Sequence, residues 1–210
     1  MNKIHIIGLG PGHEDYILPI AKRKISEVDI IIGAKRNLEN IDTSKKLVFD
    51  ISKGLSKMID FINENIGSKT IAVVVSGDTG FFSLKSYIKK NLKDVEMNVI
   101  SGISSVQYMF SKINESWEDA YFLSLHGRND DILEIVKTNK KVAILTDKIW
   151  TPQKIAKELL NNDMKNKTIY VGENLSYSNE KIYKGSSEDI SKIQSSNLNV
   201  VVIVDNEESI

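Results

Sequence analysis

The chain of 210 residues contains no cysteine, which excludes disulfides, Cys-ligated zinc and thiol catalysis. It also lacks net charge, since 28 Lys and Arg balance 28 Asp and Glu. A broad basic surface is therefore not built in, and no nucleic-acid partner is expected. No apolar run reaches the roughly 18 residues that a membrane-spanning helix needs. The N-terminus enters a strand almost at once, without the charged-then-apolar pattern of a secretory leader. A cytoplasmic protein with no membrane partner is expected, and the sequons at Asn114, Asn166 and Asn174 read as chance. The three histidines, His5, His13 and His126, are far apart at spacings that match no ligand motif, so no protein-bound metal is expected. No Ser-His-Asp arrangement is legible either.

What is present begins at the start of the chain. Lys3-Ile4-His5-Ile6-Ile7 is an apolar run of strand formers that ends in Gly8-Leu9-Gly10-Pro11-Gly12. A run without polar alternation is that of a parallel strand covered on both faces. Three glycines in five residues allow sharp turns and close approach of a ligand to the backbone. Pro11 fixes one φ angle. A dinucleotide fingerprint is excluded, because His13 stands where a small residue is required and Gly33-Ala34-Lys35-Arg36 follows the second strand without an acidic ribose partner. A P-loop is excluded as well, since Gly67-Ser68-Lys69-Thr70 lacks the first half of that motif.

The first half alternates strands and helices. Strands are expected at 4–7, 29–32, 46–49, 70–75 and 96–100, with helices at 16–27, 55–66, 82–92 and 103–110. Such alternation implies crossover units and a mostly parallel sheet, an α/β fold. The polar stretch Ser111–Asp119 suggests a boundary between domains 1–113 and 114–210. Beyond it, strands are expected at 120–125, 141–145, 168–171, 181–183 (an edge) and 199–204, and helices at 130–137 and 152–160. Thr151-Pro152 is a good helix start.

Ligands in open α/β sheets gather beyond the carboxyl ends of strands. The loops there read Ser76-Gly77-Asp78-Thr79-Gly80-Phe81-Phe82, Ser101-Gly102-Ile103-Ser104-Ser105, His126-Gly127-Arg128, Thr146-Asp147 and Gly172-Glu173-Asn174. Each has an ordinary reading beside the functional one. Asp78, Ser104 or Ser105 can cap the helix that follows, His126 can be a plain loop histidine, and Glu173 a solvated charge. Together the loops suggest one shared cleft.

The segments GLGPG, SGDTGFF, SGISS and VGENLSYSNEKI, in this order and at this spacing, resemble the tetrapyrrole methylase superfamily over nearly the whole chain. The combination GDxGFFS, GISSVQ and LHGR most resembles its C5-specific precorrin methylases of cobalamin synthesis. One departure is Thr79, where the family has proline. The resemblance implies two α/β domains with a ligand cleft between them, commonly in a homodimer. It implies S-adenosylmethionine as methyl donor, S-adenosylhomocysteine as product and a corrinoid or precorrin as acceptor. A separate protein would then supply C15 methylation and decarboxylation.

By the same resemblance Leu9, Gly77, Asp78, Gly80, Phe81, Ser104, Ser105, Leu125, Gly172, Glu173 and Asn174 contact the cofactor. Gly8, Gly10, Pro11 and Gly12 leave room for the tetrapyrrole, Lys35, Arg36 and Arg128 meet its carboxylates, and His126 is the candidate base. Two other readings stay open: a methylase of the same superfamily with another acceptor, and a non-catalytic α/β ligand-binding module.

Overall fold

The computed structural model describes residues 3–125, 131–164, 166–195 and 198–206. The chain forms two compact units, residues 1–104 and 105–210. In the first, five strands, β1 (Lys3–Gly8), β2 (Ile30–Gly33), β3 (Leu47–Asp50), β4 (Ile71–Val75) and β5 (Glu96–Ile100), form one sheet in the order β3-β2-β4-β1-β5. Every pair is parallel. The helices are α1 (Pro19–Glu27), α2 (Lys35–Leu38), α3 (Leu55–Asn65) and α4 (Lys85–Asn91).

Alternate side chains of the central strands leave to opposite faces, as the period of two requires. Ile4, Ile6, Ile30, Ile32, Ile71 and Val73 pack with Met58 and Ile62 of α3 and Ile88 of α4. Ile7, Ile31, Ala72 and Val74 pack with Ala21 and Ile25 of α1. Both faces are covered, which is why these strands read as unbroken apolar runs.

The second unit contains α5 (Ser105–Ile113), β6 (Ala120–Ser124), α6 (Ile132–Thr138), β7 (Lys141–Leu145), α7 (Pro152–Asn161), β8 (Lys167–Glu173), β9 (Lys181–Gly185), α8 (Ser187–Ile190) and β10 (Asn199–Asp205). Its sheet order is β6-β7-β10-β8-β9. Only β6 and β7 pair in parallel; β10 runs against both β7 and β8, and β8 against β9. The carboxyl ends of β6, β7 and β8 therefore share one edge with the start of β10. One core cluster, including Val136, Val142, Ile144, Ile155, Leu159, Val171 and Val201, joins this sheet to α6 and α7.

Several expectations shift. The polar stretch suggested a division after residue 113; the compact units divide after residue 104, so α5 falls in the second, where it contacts β10. The first helix starts at Pro19, not at residue 16, because Leu18 before the proline is held extended at φ −58 and ψ 143. A single 3-10 turn, Glu14–Tyr16, precedes it, and the His13 side chain caps that turn by accepting from Asp15 N. α4 starts at Lys85, not at residue 82, since Phe82 adopts φ +47, outside helical space. α2 and α8 were not expected, although Ser186 and Asp189 form a reciprocal capping box at the start of α8. No helix among the described residues is long and apolar enough to cross a membrane.

Candidate active site

Because all strands of the first sheet run one way, the loops after β1, β2, β4 and β5 leave from a single edge. The backbone then welds three of them together. Leu9 N donates to Val75 O at 2.9 Å, Gly10 N to Gly77 O at 3.2 Å, and Gly77 N to Gly10 O at 2.8 Å. Gly10 and Gly77 adopt φ of +80 and +65, a region that L side chains rarely enter. A Cβ at Gly8 would sit 2.6 Å from both Gly102 N and Gly77 O, and one at Gly102 only 2.2 Å from Gly77 O. The space beside Gly8 is thus filled by neighbouring backbone, and that beside Gly10 by Tyr16 O at 2.7 Å. The expectation that these missing side chains make room for a tetrapyrrole does not hold at Gly8 and Gly10, where they let the loops touch each other. Pro11 and Gly12 are half-buried, and Gly12 O accepts from Asn40 Nδ2 at 3.1 Å.

Asp78 completes the weld. Its Oδ1 accepts from Gly80 N at 2.6 Å and its Oδ2 from Gly102 N at 3.2 Å. It is not the cap of α4, which starts seven residues later, at Lys85. Thr79, at the family's proline position, is buried, and its carbonyl accepts the Ser83 hydroxyl. Gly80 is exposed, and a Cβ there would lie 3.7 Å from Lys85 Nζ, so a cation stands beside the loop. Phe81 is half-buried and meets Phe82 edge-on at 4.8 Å. Leu9 is only 5% exposed, its side chain belongs to the core under α1, and its N–H is taken by Val75 O.

The two basic residues after β2 behave differently. Arg36 donates to Ser76 Oγ at 2.9 Å, and Ser76 Oγ donates to Asn37 Oδ1 at 2.8 Å, so the guanidinium stands beside the loop after β4. The Lys35 side chain is 80% exposed and lies 3.9 Å from Glu39. Ser104 is buried, and Ser105 opens α5 in the second unit. A cavity of about 550 Å³ lies elsewhere in the first unit, between α1 and residues 40–46. No residue of the loops after β4 and β5 lines it.

In the second unit, Leu125 is buried in the core and its N–H donates to Leu145 O at 3.0 Å. Thr146 Oγ1 donates to Asn199 O at 3.1 Å. Gly172 is packed against Met109 and Leu175, whose side-chain atoms a Cβ would approach to 2.5 and 2.6 Å. Glu173 is 7% exposed and accepts from Tyr183 Oη at 3.1 Å, so it is not a solvated charge. Asn174 turns the chain at φ +49 and donates its N–H to Leu198 O. His126 and Arg128 lie outside the described residues. Among the described residues, no group of three His, Asp or Glu gathers to hold a metal.

The family profile described as Tetrapyrrole (Corrin/Porphyrin) Methylases matches residues 3–191, nearly the whole chain. The chain belongs to the tetrapyrrole methylase family. A Methanocaldococcus jannaschii protein named probable cobalt-precorrin-7 C(5)-methyltransferase is 37% identical over 214 residues, covering 98% of this chain and 99% of its own. Among solved structures, the precorrin-6Y methylase of Archaeoglobus fulgidus shares the fold with a TM-score of 0.76 at 21% identity, covering 99% of this chain and 100% of that one. The uroporphyrin-III C-methyltransferase of Thermus thermophilus complexed with S-adenosyl homocysteine gives 0.79 at 16% identity, covering 96% and 97%.

Within this tetrapyrrole methylase, sequence reasoning missed two sets of side chains. One is the chain Arg36–Ser76–Asn37, for which a hydroxyl directly after β4 was the available signal. The other is the contact of Glu180 with Ser176 N and Lys112 Nζ, which joins the end of the VGENLSYSNEKI segment to α5. No spacing rule announces that second contact, because its partners lie on separate elements.

Proposed function

We propose that this methylase transfers a methyl group from S-adenosylmethionine to C5 of cobalt-precorrin-7, releasing S-adenosylhomocysteine. The observation that carries the reading is the near-full-length match to the Methanocaldococcus jannaschii relative, whose name specifies that carbon. In this reading C15 methylation and decarboxylation fall to another protein.

The strand-end loops suit the donor by their chemistry. Asp78 and the buried Glu173 are carboxylates, and acceptor-only groups of this kind match an ammonium and ribose hydroxyls. Ser104 and Ser105 add hydroxyls, Gly80 and Phe81 supply backbone, Gly77 shapes their loop through its pairing with Gly10, and Leu9, Leu125, Gly172 and Asn174 complete the proposed contacts. When bound, the donor supplies a methyl group activated by its sulfonium. The acceptor carbon is itself the nucleophile, so the protein's task is alignment, and fixing reacting atoms about 3–3.5 Å apart can contribute several kcal/mol. The welded loops of the first unit are suited to that task, because they have little freedom to lose. Lys35, Arg36 and Arg128 are proposed to orient the acceptor's carboxylates, and His126 to take up the proton.

The test is incubation of the full chain with cobalt-precorrin-7 and S-adenosylmethionine carrying a carbon-13 methyl. Mass spectrometry should show one added methyl group and carbon NMR should place it at C5. Methylation at another carbon would move the protein to a different step of the same chemistry. Absence of transfer despite donor binding would leave a binding module.

A further inference from the structure

We propose that Glu180 is a positioning residue for donor binding: its carboxylate clamps the turn at residues 174–176 to α5. The inference rests on the methyltransferase reading above, because the turn follows directly from Gly172 and Glu173.

The turn is held in an unfavourable backbone shape. Asn174 and Ser176 adopt φ of +49 and +69, and for a serine the left-handed region is sparsely populated. Leu175 between them is 4% exposed, which anchors the middle of the turn in apolar surroundings. Backbone bonds from Asn174 N to Leu198 O and from Tyr177 N to Asn174 O close its two ends. Ser176 N–H is taken by a side chain, Glu180 Oε2, at 2.6 Å.

The second oxygen of that carboxylate reaches a different element. Glu180 Oε1 lies 3.1 Å from Lys112 Nζ of α5. Tyr108 is 6% exposed, and Lys112 also stands over its ring at 5.2 Å. The Glu180 side chain is itself only 19% exposed. One carboxylate therefore joins the helix that continues the SGISS loop to the turn that continues β8. An exposed ion pair alone would do little, and the Lys112 side chain is 40% exposed. A charge-assisted bond to a backbone N–H in a left-handed turn instead adds a strong tie to Ser176, beside the backbone bonds at the ends of the turn. Core packing through Leu175 does not depend on it, so loss of Glu180 should loosen the turn before it unfolds the unit.

The experiment compares the full chain with Glu180→Ala and Glu180→Gln. Calorimetric titration with S-adenosylhomocysteine should show Kd raised about tenfold in Glu180→Ala, equivalent to ~1.4 kcal/mol. Glu180→Gln keeps an oxygen for Ser176 N–H and should stay within about threefold of wild type. In turnover, KM for S-adenosylmethionine should rise with Kd while kcat stays within about twofold. Amide exchange at Ser176, measured without ligand, should quicken about tenfold in the alanine variant and recover in the glutamine variant. If Glu180→Ala binds the ligand as wild type does, or Ser176 exchange is unchanged, Glu180 is a surface partner of Lys112 and the proposal is overturned. If wild type itself fails to bind, the methyltransferase reading falls and this proposal with it. Should the alanine variant fail to fold, Glu180→Asp decides, since its shorter carboxylate cannot reach Ser176 N–H: a raised Kd with faster Ser176 exchange supports the clamp, and wild-type affinity and exchange overturn it.

Discussion

The two units hold their strand-end loops by different means. In the first, backbone touches backbone: Gly8, Gly77 and Gly102 meet at distances that leave no room for a methyl group, and Gly10 pairs with Gly77. In the second, side chains add to the backbone bonds that hold the loops: Thr146 to Asn199 O, Tyr183 to Glu173, and Glu180 to Ser176 N. The difference follows from sheet topology. Parallel neighbours emerge together on one edge and can share glycine contacts, whereas the second sheet alternates direction around β10 and places a strand start among the strand ends. Substitutions in the first unit should therefore act all at once, and those in the second by degrees.

The largest effect is expected at Gly102. A methyl group there would meet Gly77 O at 2.2 Å and Gly8 C at 2.8 Å, both backbone, so no flexible end can give way. Gly102→Ala should cost about 3 kcal/mol or more in urea unfolding, at the upper end for overpacking. Gly67→Ala is the matched control. Nothing lies within 4 Å of its Cβ position and its φ is not positive, so it should be neutral or stabilise by up to about 1 kcal/mol. Equal behaviour of the two would show that the first unit's loops are not welded.

Those contacts mark where sequence reading ran out. Ile4–Ile7 and Thr70–Val75 were legible as parallel strands, because burial on both faces leaves an unbroken apolar run that any window detects. The loops were legible as a site because strand ends and glycines are local signals. Which way the missing Cβ points is not local. Gly8 and Gly10 therefore read as room for a ligand, while their neighbours turned out to be Gly102, Gly77 and Tyr16. The mixed order of the second sheet was hidden for a similar reason, since the placement of β10 between β7 and β8 is a long-range pairing. The late start of α1 is another matter: Pro19 was in plain view, and its fixed φ and its effect on Leu18 were sufficient to place the helix.

A middling effect is expected in the second unit. A methyl group at Gly172 would come within 2.5 Å of Met109 Sδ and 2.6 Å of Leu175 Cδ2. Both are ends of side chains that can change rotamer, and methionine is especially adaptable. Gly172→Ala should cost about 1–2 kcal/mol in the same urea assay, clearly less than Gly102→Ala. A cost as large would mean that side-chain packing here is as rigid as the backbone weld, and the contrast between the units would break.

The smallest effect is in pH, and it separates the units by window. His5, in β1, is held below its ordinary pKa of 6.5 mainly by burial, then by Lys24 and Lys3, with Glu27 opposing. Asn98 Nδ2 lies 2.9 Å from its Nδ1 and donates to the neutral ring. The unfolded chain therefore takes up this proton first, and stability falls as pH drops below about 6.5. Burial raises the Glu180 carboxyl, but Ser176 N–H, Tyr108 and Lys112 together outweigh it, so it sits below its ordinary 4.5. Its contribution is present above about 4.5 and is lost as pH falls through the folded value. Both tryptophans, Trp117 and Trp150, belong to the second unit, so their fluorescence reports on that unit while circular dichroism reports on both. His5→Gln should flatten the stability profile seen by circular dichroism between about pH 7 and 5, and leave the tryptophan signal's acid dependence in place. Glu180→Gln should flatten the tryptophan-detected profile below about pH 4.5. If His5→Gln instead shifts the tryptophan transition as far as the dichroism transition, the two units unfold as one, and their different ways of holding loops do not amount to separate stabilities.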